Sequence, residues 1–274
     1  MAFLMAVIQM TSGKDEKRNV GKALELVARA ADLGAAIIGL PENWSHIRDN
    51  EDPAPEAVAF DAGPVKELRD VCRERRITLV AGTVPEPAPG GRVFNTCPVI
   101  GPDGGILAAY RKIHLFDVFI KDGADHQESK VVAPGEDPVT VETPVGKIGL
   151  TVCYDLRFPE LYRWLALDGA RMIFTPAAFT LHTGKDHWVP LLRARAIENL
   201  VYIAAPAQYG RHTQQRQSYG KSMIVDPWGV AVATAPDREC VIVAEVDFAA
   251  QDAYRKQLPC LEHVRPRFLG RKPE

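Results

Sequence analysis

Apolar residues recur along this chain in two rhythms, short unbroken runs and stretches with helical spacing, and their alternation lays out the fold. The opening run MAFLMAVIQM is apolar throughout and predicts a buried first strand. Asp15 to Leu33 reads as an amphipathic helix with Val20, Leu24 and Val27 on one face and Gly34 as its stop. Ala35 to Leu40 is the next buried strand, ended by Pro41, and the polar stretch from Asn43 to Asp61, with Pro53 and Pro55, suits a loop that overhangs a site. A helix from Pro64 to Arg75, a strand from Ile77 to Gly82 and the Pro/Gly-rich tip PEPAPGG follow. Val93 to Ile100 and Ile106 to Tyr110 then make a hairpin about the turn GPDGG. The residues from there to Val139 are mostly polar and irregular.

The second half repeats the alternation. Lys147 to Val152 reads as a strand and Leu156 to Leu167 as a helix that places Leu161, Trp164 and Leu165 together, with Gly169 as its stop. Arg171 to Thr175 is a strand, and Asp186 to Asn199 a helix with Val189, Leu192 and Ile197 as its apolar positions. Four strands come next, Val201 to Ala205, Lys221 to Val225, Val230 to Thr234 and Cys240 to Val246, with DPWG turning between the middle pair. A last helix lies between Phe248 and Gln257, and a basic tail without periodicity runs from Leu258 to Glu274. Two rounds of strand and helix, each with an antiparallel hairpin, predict an α/β protein of two sheets with helices outside them. No low-complexity linker divides it, so residues 1–274 are expected to form one domain.

Three chemically able residues fall just beyond strand ends. Cys153 follows the strand Lys147 to Val152 and precedes a helix, where free backbone N–H groups stabilise a thiolate and the oxyanion its attack creates. Glu42 follows Leu40 and Pro41, and Lys112 follows the hairpin. A carboxylate in that place can take a thiol proton if burial raises its affinity, and an ammonium can face a developing oxyanion. Each also has a plainer reading: a small buried hydrophobe for Cys153, a surface carboxylate for Glu42, a solvated cation for Lys112.

Composition removes several classes of function. The 274 residues carry a net charge of −2 with an isoelectric point near 6.4, so neither nucleic acid nor an anionic membrane is an expected partner. The apolar start lacks the basic flank of a leader and is too short to span a bilayer. The 5 cysteines are scattered and contain no C-x-x-C pair, which favours a reducing, cytoplasmic setting. GKS at 220–222 lacks the upstream glycine of a phosphate loop, and the spacing of His182 and His187 does not put both on one helical face. No metal or other cofactor is indicated.

The string GLTVCYDLRFPELYR around Cys153 resembles the nucleophile segment of the nitrilase superfamily of carbon–nitrogen hydrolases, and LPENW at 40–44 and YRKIHLFDV at 110–118 resemble two further motifs in the same order. The resemblance implies a four-layer α-β-β-α sandwich, dimerisation, and a catalytic set of Glu42, Lys112 and Cys153. It adds Glu128, in HQES at 126–129, as a supporting carboxylate, and the backbone N–H of Tyr154 as an oxyanion donor. Arg157, at the expected helix start, either holds the turn through Asp155 or faces the substrate, where related carbamoyl-amino-acid hydrolases use an arginine to hold a carboxylate; Ala178 and Phe179, at the end of the next strand, either line the pocket wall or belong to the core. TLHTGKDHWVPLLRARAIEN and AQYGRHTQQRQSYGKSMIVDPWG are similar to the branch containing ω-amidase and deaminated glutathione amidase, more closely to the latter. Lys221 stands where that branch has histidine, and PENW where relatives often have PEA. The implied partner is a small amide bearing carboxylates, with Arg157, Lys185, Arg211 and His212 as candidate anchors. An ω-amidase acting on α-ketoglutaramate and a scaffold without activity are the alternative expectations.

Overall fold

The structure, a computed structural model, describes residues 2–49, 51–119 and 126–265. Most of the basic tail and residues 120–125 of the irregular stretch lie outside the described residues. Parallel strands Phe3–Gln9, Ala35–Gly39 and Thr78–Val80 form the centre of an eight-stranded sheet. Val93–Ile100 closes it on one side, antiparallel to Thr78–Val80, and pairs in turn with Val84–Pro87 and Ile106–Arg111. A second sheet of six strands centres on parallel Gly146–Leu150, Met172–Phe174 and Tyr202–Ala205.

Side-chain alternation explains why these central strands read as unbroken apolar runs. In the first strand Met5 and Val7 face the second sheet, whereas Ala6 and Ile8 pack with Val20, Leu26 and Val27 of the helix Glu16–Asp32 and with Leu68 of the helix Gly63–Arg75. Ile37 and Val80 follow the inward set, Ile38 and Leu79 the outward set. Burial on both faces needs apolar residues at every position. The helices Pro159–Leu167 and Leu181–Asn199 cover the second sheet in the same way, which completes an α-β-β-α sandwich. Gly39 faces the second sheet, and a Cβ there would lie 3.1 Å from the ring of Phe174.

Several elements depart from the sequence reading for identifiable reasons. Cys240–Val246 leaves its neighbours in sequence and pairs antiparallel with Phe3–Gln9, at the edge of the first sheet. The helix expected from Leu156 starts only at Pro159, because proline has no N–H to donate and restricts the residue before it; Cys153–Arg157 is a separate 3-10 turn. Leu161, Tyr162 and Leu165 are buried in that helix, and Trp164 is 45% exposed, so Trp164 belongs to the outer face. The helix expected from Asp186 begins at Leu181 and continues through Pro190, and Ile197 is 44% exposed, not inward. Its first turns carry no apolar stripe, since Gly184 packs directly on Tyr219. The tip at 85–91 contributes the edge strand Val84–Pro87, where Pro85 and Pro87 need no second partner. Val139–Thr143 and the small pair Tyr209–Arg211 with Gln217–Tyr219 are further strands that the pattern did not mark.

Candidate active site

Three strand ends converge at one edge of the sandwich. Ala35–Gly39 continues its ladder through Leu40, whose N–H bonds to the Val80 carbonyl at 2.9 Å, and Pro41 then ends pairing and turns the chain toward Glu42. Asn43, at φ 54°, fixes the turn by donating its N–H to Thr83 Oγ1 at 2.9 Å. Gly82 is required beneath it, since a Cβ there would overlap the Pro41 carbonyl and sit 2.7 Å from the Trp44 ring. Lys112 follows Ile106–Arg111 and keeps one ladder bond, its N–H to the Asn95 carbonyl at 2.9 Å. Cys153 follows Gly146–Leu150 at the first position of the 3-10 turn, with φ 48°. A left-handed conformation in a non-glycine residue costs about 1–3 kcal/mol and aims the side chain away from the strand it follows.

The charges at these ends form a closed set. Lys112 Nζ lies 3.0 Å from Glu42 Oε1 and 2.8 Å from Glu128 Oε2, with the Lys112 and Glu42 side chains 2% and 4% exposed. Asn95 Nδ2 donates to both carboxylates, at 2.9 Å to Glu42 and 3.2 Å to Glu128. The Phe116 N–H donates to Glu128 at 2.7 Å and the Ala178 N–H to Glu42 Oε2 at 2.8 Å. Burial works against the Lys112 charge, but the carboxylates of Glu128 and Glu42 outweigh it and hold the ammonium well above its ordinary range. Burial first, and the Glu42 charge second, push the Cys153 thiol up, against the opposing pull of Lys112. The resting site therefore holds a protonated thiol beside an ammonium that is in contact with Glu42 and Glu128.

Asp155, fully buried two residues after the cysteine, ties the turn to the lysine segment. Its Oδ2 accepts from the Val152 N–H at 2.8 Å and the Tyr110 hydroxyl at 2.7 Å, and its Oδ1 faces the N–H and the ring Nδ1 of His114 at 3.1 and 2.7 Å. Burial and the Asp155 charge push the Tyr110 phenol up, so it stays protonated and donates. Tyr110 and His114 flank Lys112 in sequence, so one carboxylate sets the spacing between lysine and cysteine. The Cys153 N–H is used on the Pro176 carbonyl at 2.9 Å. The Tyr154 N–H follows it in the first turn of Cys153–Arg157.

Two adjoining cavities open from this cluster. The inner one, about 330 Å³, is lined by Glu42, Lys112, Glu128, Cys153, Asn95 and Phe116 among others. The outer one, about 380 Å³, shares Asn43, Ile47, His126, Ala178, Thr180 and Arg216 with it and extends to Lys185, His182 and His212. The loop from Asn43 overhangs both and is fastened to the strand pair at 209–219, where Thr213 Oγ1 bonds Asp49 and Gln215 Nε2 bonds Glu51 at 3.0 Å.

Glu42, Lys112, Glu128, Cys153 and Ala178 thus come together. Phe179 does not line the cavity: it is 3% exposed and packs on Trp188 at 5.1 Å. Arg157 does not touch Asp155, whose oxygens are taken, and lies instead against His187 at 3.3 Å and over the rings of Phe179 and Tyr154. It lines neither cavity. Arg211 points from the strand pair to the Gln214 carbonyl at 3.1 Å, outside both cavities. Lys185 and His212 line the outer cavity only, and His212 is fixed to the Ser12 carbonyl at 2.7 Å. Sequence reasoning passed over Asn95 and Arg216. Asn95 is one polar residue in an apolar strand, and Arg216 lies in the same basic string as Arg211, which was the available signal. Among the described residues no group of three or more His, Cys, Asp and Glu is arranged to hold a metal ion.

Comparison with known proteins agrees with this architecture. The carbon-nitrogen hydrolase family profile matches residues 4–256. Deaminated glutathione amidase of Synechocystis sp. is 42% identical over 265 residues, 95% of this chain and 97% of that protein. Omega-amidase NIT2 of Mus musculus is 36% identical over 263 residues, 96% of this chain and 95% of that protein. The crystal structure of the C. elegans NitFhit protein superposes with a TM-score of 0.89 at 38% identity, over 97% of this chain and 66% of that one. This chain belongs to the carbon–nitrogen hydrolase family of the nitrilase superfamily and is an amidase, a hydrolase of amide C–N bonds.

Proposed function

We propose that the chain, acting as one domain over residues 1–274, hydrolyses deaminated glutathione through a thioester on Cys153. The observation that carries the mechanism is the convergence of Glu42, Lys112, Glu128 and Cys153 on one cavity, with the Lys112 ammonium paired to both glutamates. Glu42 takes the thiol proton as sulfur attacks the amide carbonyl, and the oxyanion is held by the Lys112 ammonium and the Tyr154 N–H. Collapse breaks the C–N bond while Glu42 returns the proton to the departing amine. Water then enters, gives a proton to Glu42 and attacks the thioester; collapse releases the acid, and the thiolate recovers the proton. Glu128 and Asn95 hold Lys112 and Glu42 in register and do not themselves exchange protons.

The substrate is supported by the 42% identity to deaminated glutathione amidase along 95% of the chain. Deaminated glutathione carries one carboxylate on its acyl part and another on its leaving dipeptide, and the cavities join basic Arg48, Arg216 and Lys185 to the reacting cluster. The 36% identity to omega-amidase NIT2 favours a second reading, a primary amide such as α-ketoglutaramate. Steady-state assay of both compounds separates them: the first reading expects the larger kcat/KM on deaminated glutathione, and a larger value on α-ketoglutaramate replaces it. A cytoplasmic homodimer completes the proposal. It is supported by five unpaired cysteines and by the exposed apolar side chains of Trp228, tilted against Tyr254 at 5.2 Å, Ile197 and Leu258.

A further inference from the structure

We infer that the outer cavity is the subsite for the leaving amine and that Arg216 is the anchor for a carboxylate on that amine. The inference rests on the amidase reading of the inner cluster, and it concerns the second cavity, which that reading leaves without a role. The lining of the two cavities differs in charge. The inner one sets Glu42 and Glu128 against Lys112, Arg48, Lys130 and Arg216. The outer one has two cations, Lys185 and Arg216, and neither Asp nor Glu lines it. A concave, low-dielectric surface of one sign concentrates ligands of the other. An anion is the ligand that this chamber accepts.

Direction of binding follows from the proton path. Glu42 must face the nitrogen that leaves, and the oxygen that does not face Lys112 accepts from the Ala178 N–H. Ala178 and Thr180 line both cavities, whereas Cys153, Lys112 and Glu128 line only the inner one. With the carbonyl carbon at Cys153 and its oxygen toward Lys112, the nitrogen points past Ala178 and Thr180 into the outer chamber. The acyl part stays inside. Arg216 stands where the chambers meet, and its planar guanidinium suits a carboxylate held by two parallel bonds. Arg211, in the same basic string, lies outside both cavities, so the anchoring role falls to Arg216. Lys185, largely exposed at the outer rim, adds attraction without fixed geometry.

The test compares two amides with the same acyl group, the one wild type turns over fastest, whose leaving amines are cysteinylglycine and cysteinylglycinamide. The pair differs by one charge. Wild type should prefer the acid by about ten- to a hundredfold in kcat/KM, the size of one charge-assisted contact. Arg216→Gln should bring that ratio to within about threefold of unity, and Arg216→Lys should retain an intermediate preference, because lysine keeps the charge and loses the fork. Since each ratio is taken on one preparation, the fraction of folded enzyme cancels. An unchanged ratio in Arg216→Gln, or no acid preference in wild type, overturns the inference. Failure of wild type to hydrolyse deaminated glutathione would instead remove the substrate reading, and the ratio on the acyl group it does accept would still decide the role of Arg216.

Discussion

Glu42 and Lys185 line two adjoining cavities, and their surroundings differ in nearly every respect. Glu42 has a side chain 4% exposed, and its carboxylate accepts from Lys112, Asn95 and the Ala178 N–H, so three separate segments of chain fix it. Lys185 has a side chain 60% exposed, and its ion-pair partner is its own neighbour Asp186 at 4.0 Å. The first arrangement suits chemistry, because fixed charges in a dry site need no reorganisation as the reaction proceeds. The second suits recognition, because an exposed, screened charge attracts ligands while contributing little to stability. The difference teaches where substitutions should act: inward changes on turnover, outward changes on selectivity.

The largest expected effect breaks the inner set. Glu42→Gln or Lys112→Ala should each lower kcat by roughly a thousandfold or more, as for groups that act as a unit. Pairing either change with Cys153→Ala should cost little beyond Cys153→Ala alone, as single-turnover rates would register. Losses that simply multiply would mean that the residues act independently.

A smaller effect is expected one layer out, at Asp155. Both carboxylate oxygens of Asp155 face donors, so Asp155→Asn must turn an amide N–H toward one of them. Unfolding free energy should fall by about 1–3 kcal/mol, the cost of one frustrated buried group. As Asp155 lines neither cavity, kcat should fall with KM little changed. Wild-type kcat in this variant would show that the clamp between the lysine and cysteine segments is dispensable.

The smallest expected effect belongs to the wall of the outer chamber and appears in pH dependence. Burial pushes His212 down from its ordinary 6.5 to about 4. Its Nδ1 donates to the Ser12 carbonyl, so a second proton would go on the buried Nε2, which has no partner. Between those pH values the unfolded chain takes up a proton that the folded chain refuses. The stability contributed by neutral His212 is therefore complete above pH 6.5 and is lost as pH falls toward 4. The loss should reach about 2 kcal/mol near pH 5. Urea unfolding of wild type and His212→Asn at pH 7.5 and at pH 5 checks it: the variant should lose less stability over this range, and parallel losses would assign the effect elsewhere.

The same contrast governs what could be read from sequence. Glu42, Lys112 and Cys153 sit just past apolar runs that end abruptly, so strand-end placement is visible in the pattern itself. Glu128 was reached through resemblance, since no periodicity marks the turn that carries it. Arg216 was passed over for Arg211 because the two share one basic string, and only the register of the small strand pair, Arg211 opposite Gln217, separates an outward arginine from one at the junction of the cavities. Asn95 left no signal: its side chain matters only once two distant glutamates arrive beside it. The pairing of Cys240–Val246 with Phe3–Gln9 was equally hidden, because an apolar strand carries no mark of the sheet it joins. The helix start at Pro159 was legible and was missed through periodicity that ran past a proline.

The central claim is that Cys153 carries the acyl group, and the most direct test is intact-protein mass after rapid acid quench during turnover of the best amide. A transient mass increase equal to the acyl part is expected, mapped to the peptide containing Cys153 and absent in Cys153→Ala. An enzyme that turns over at its normal rate with no adduct on Cys153, or a Cys153→Ala variant that retains wild-type turnover, would contradict it.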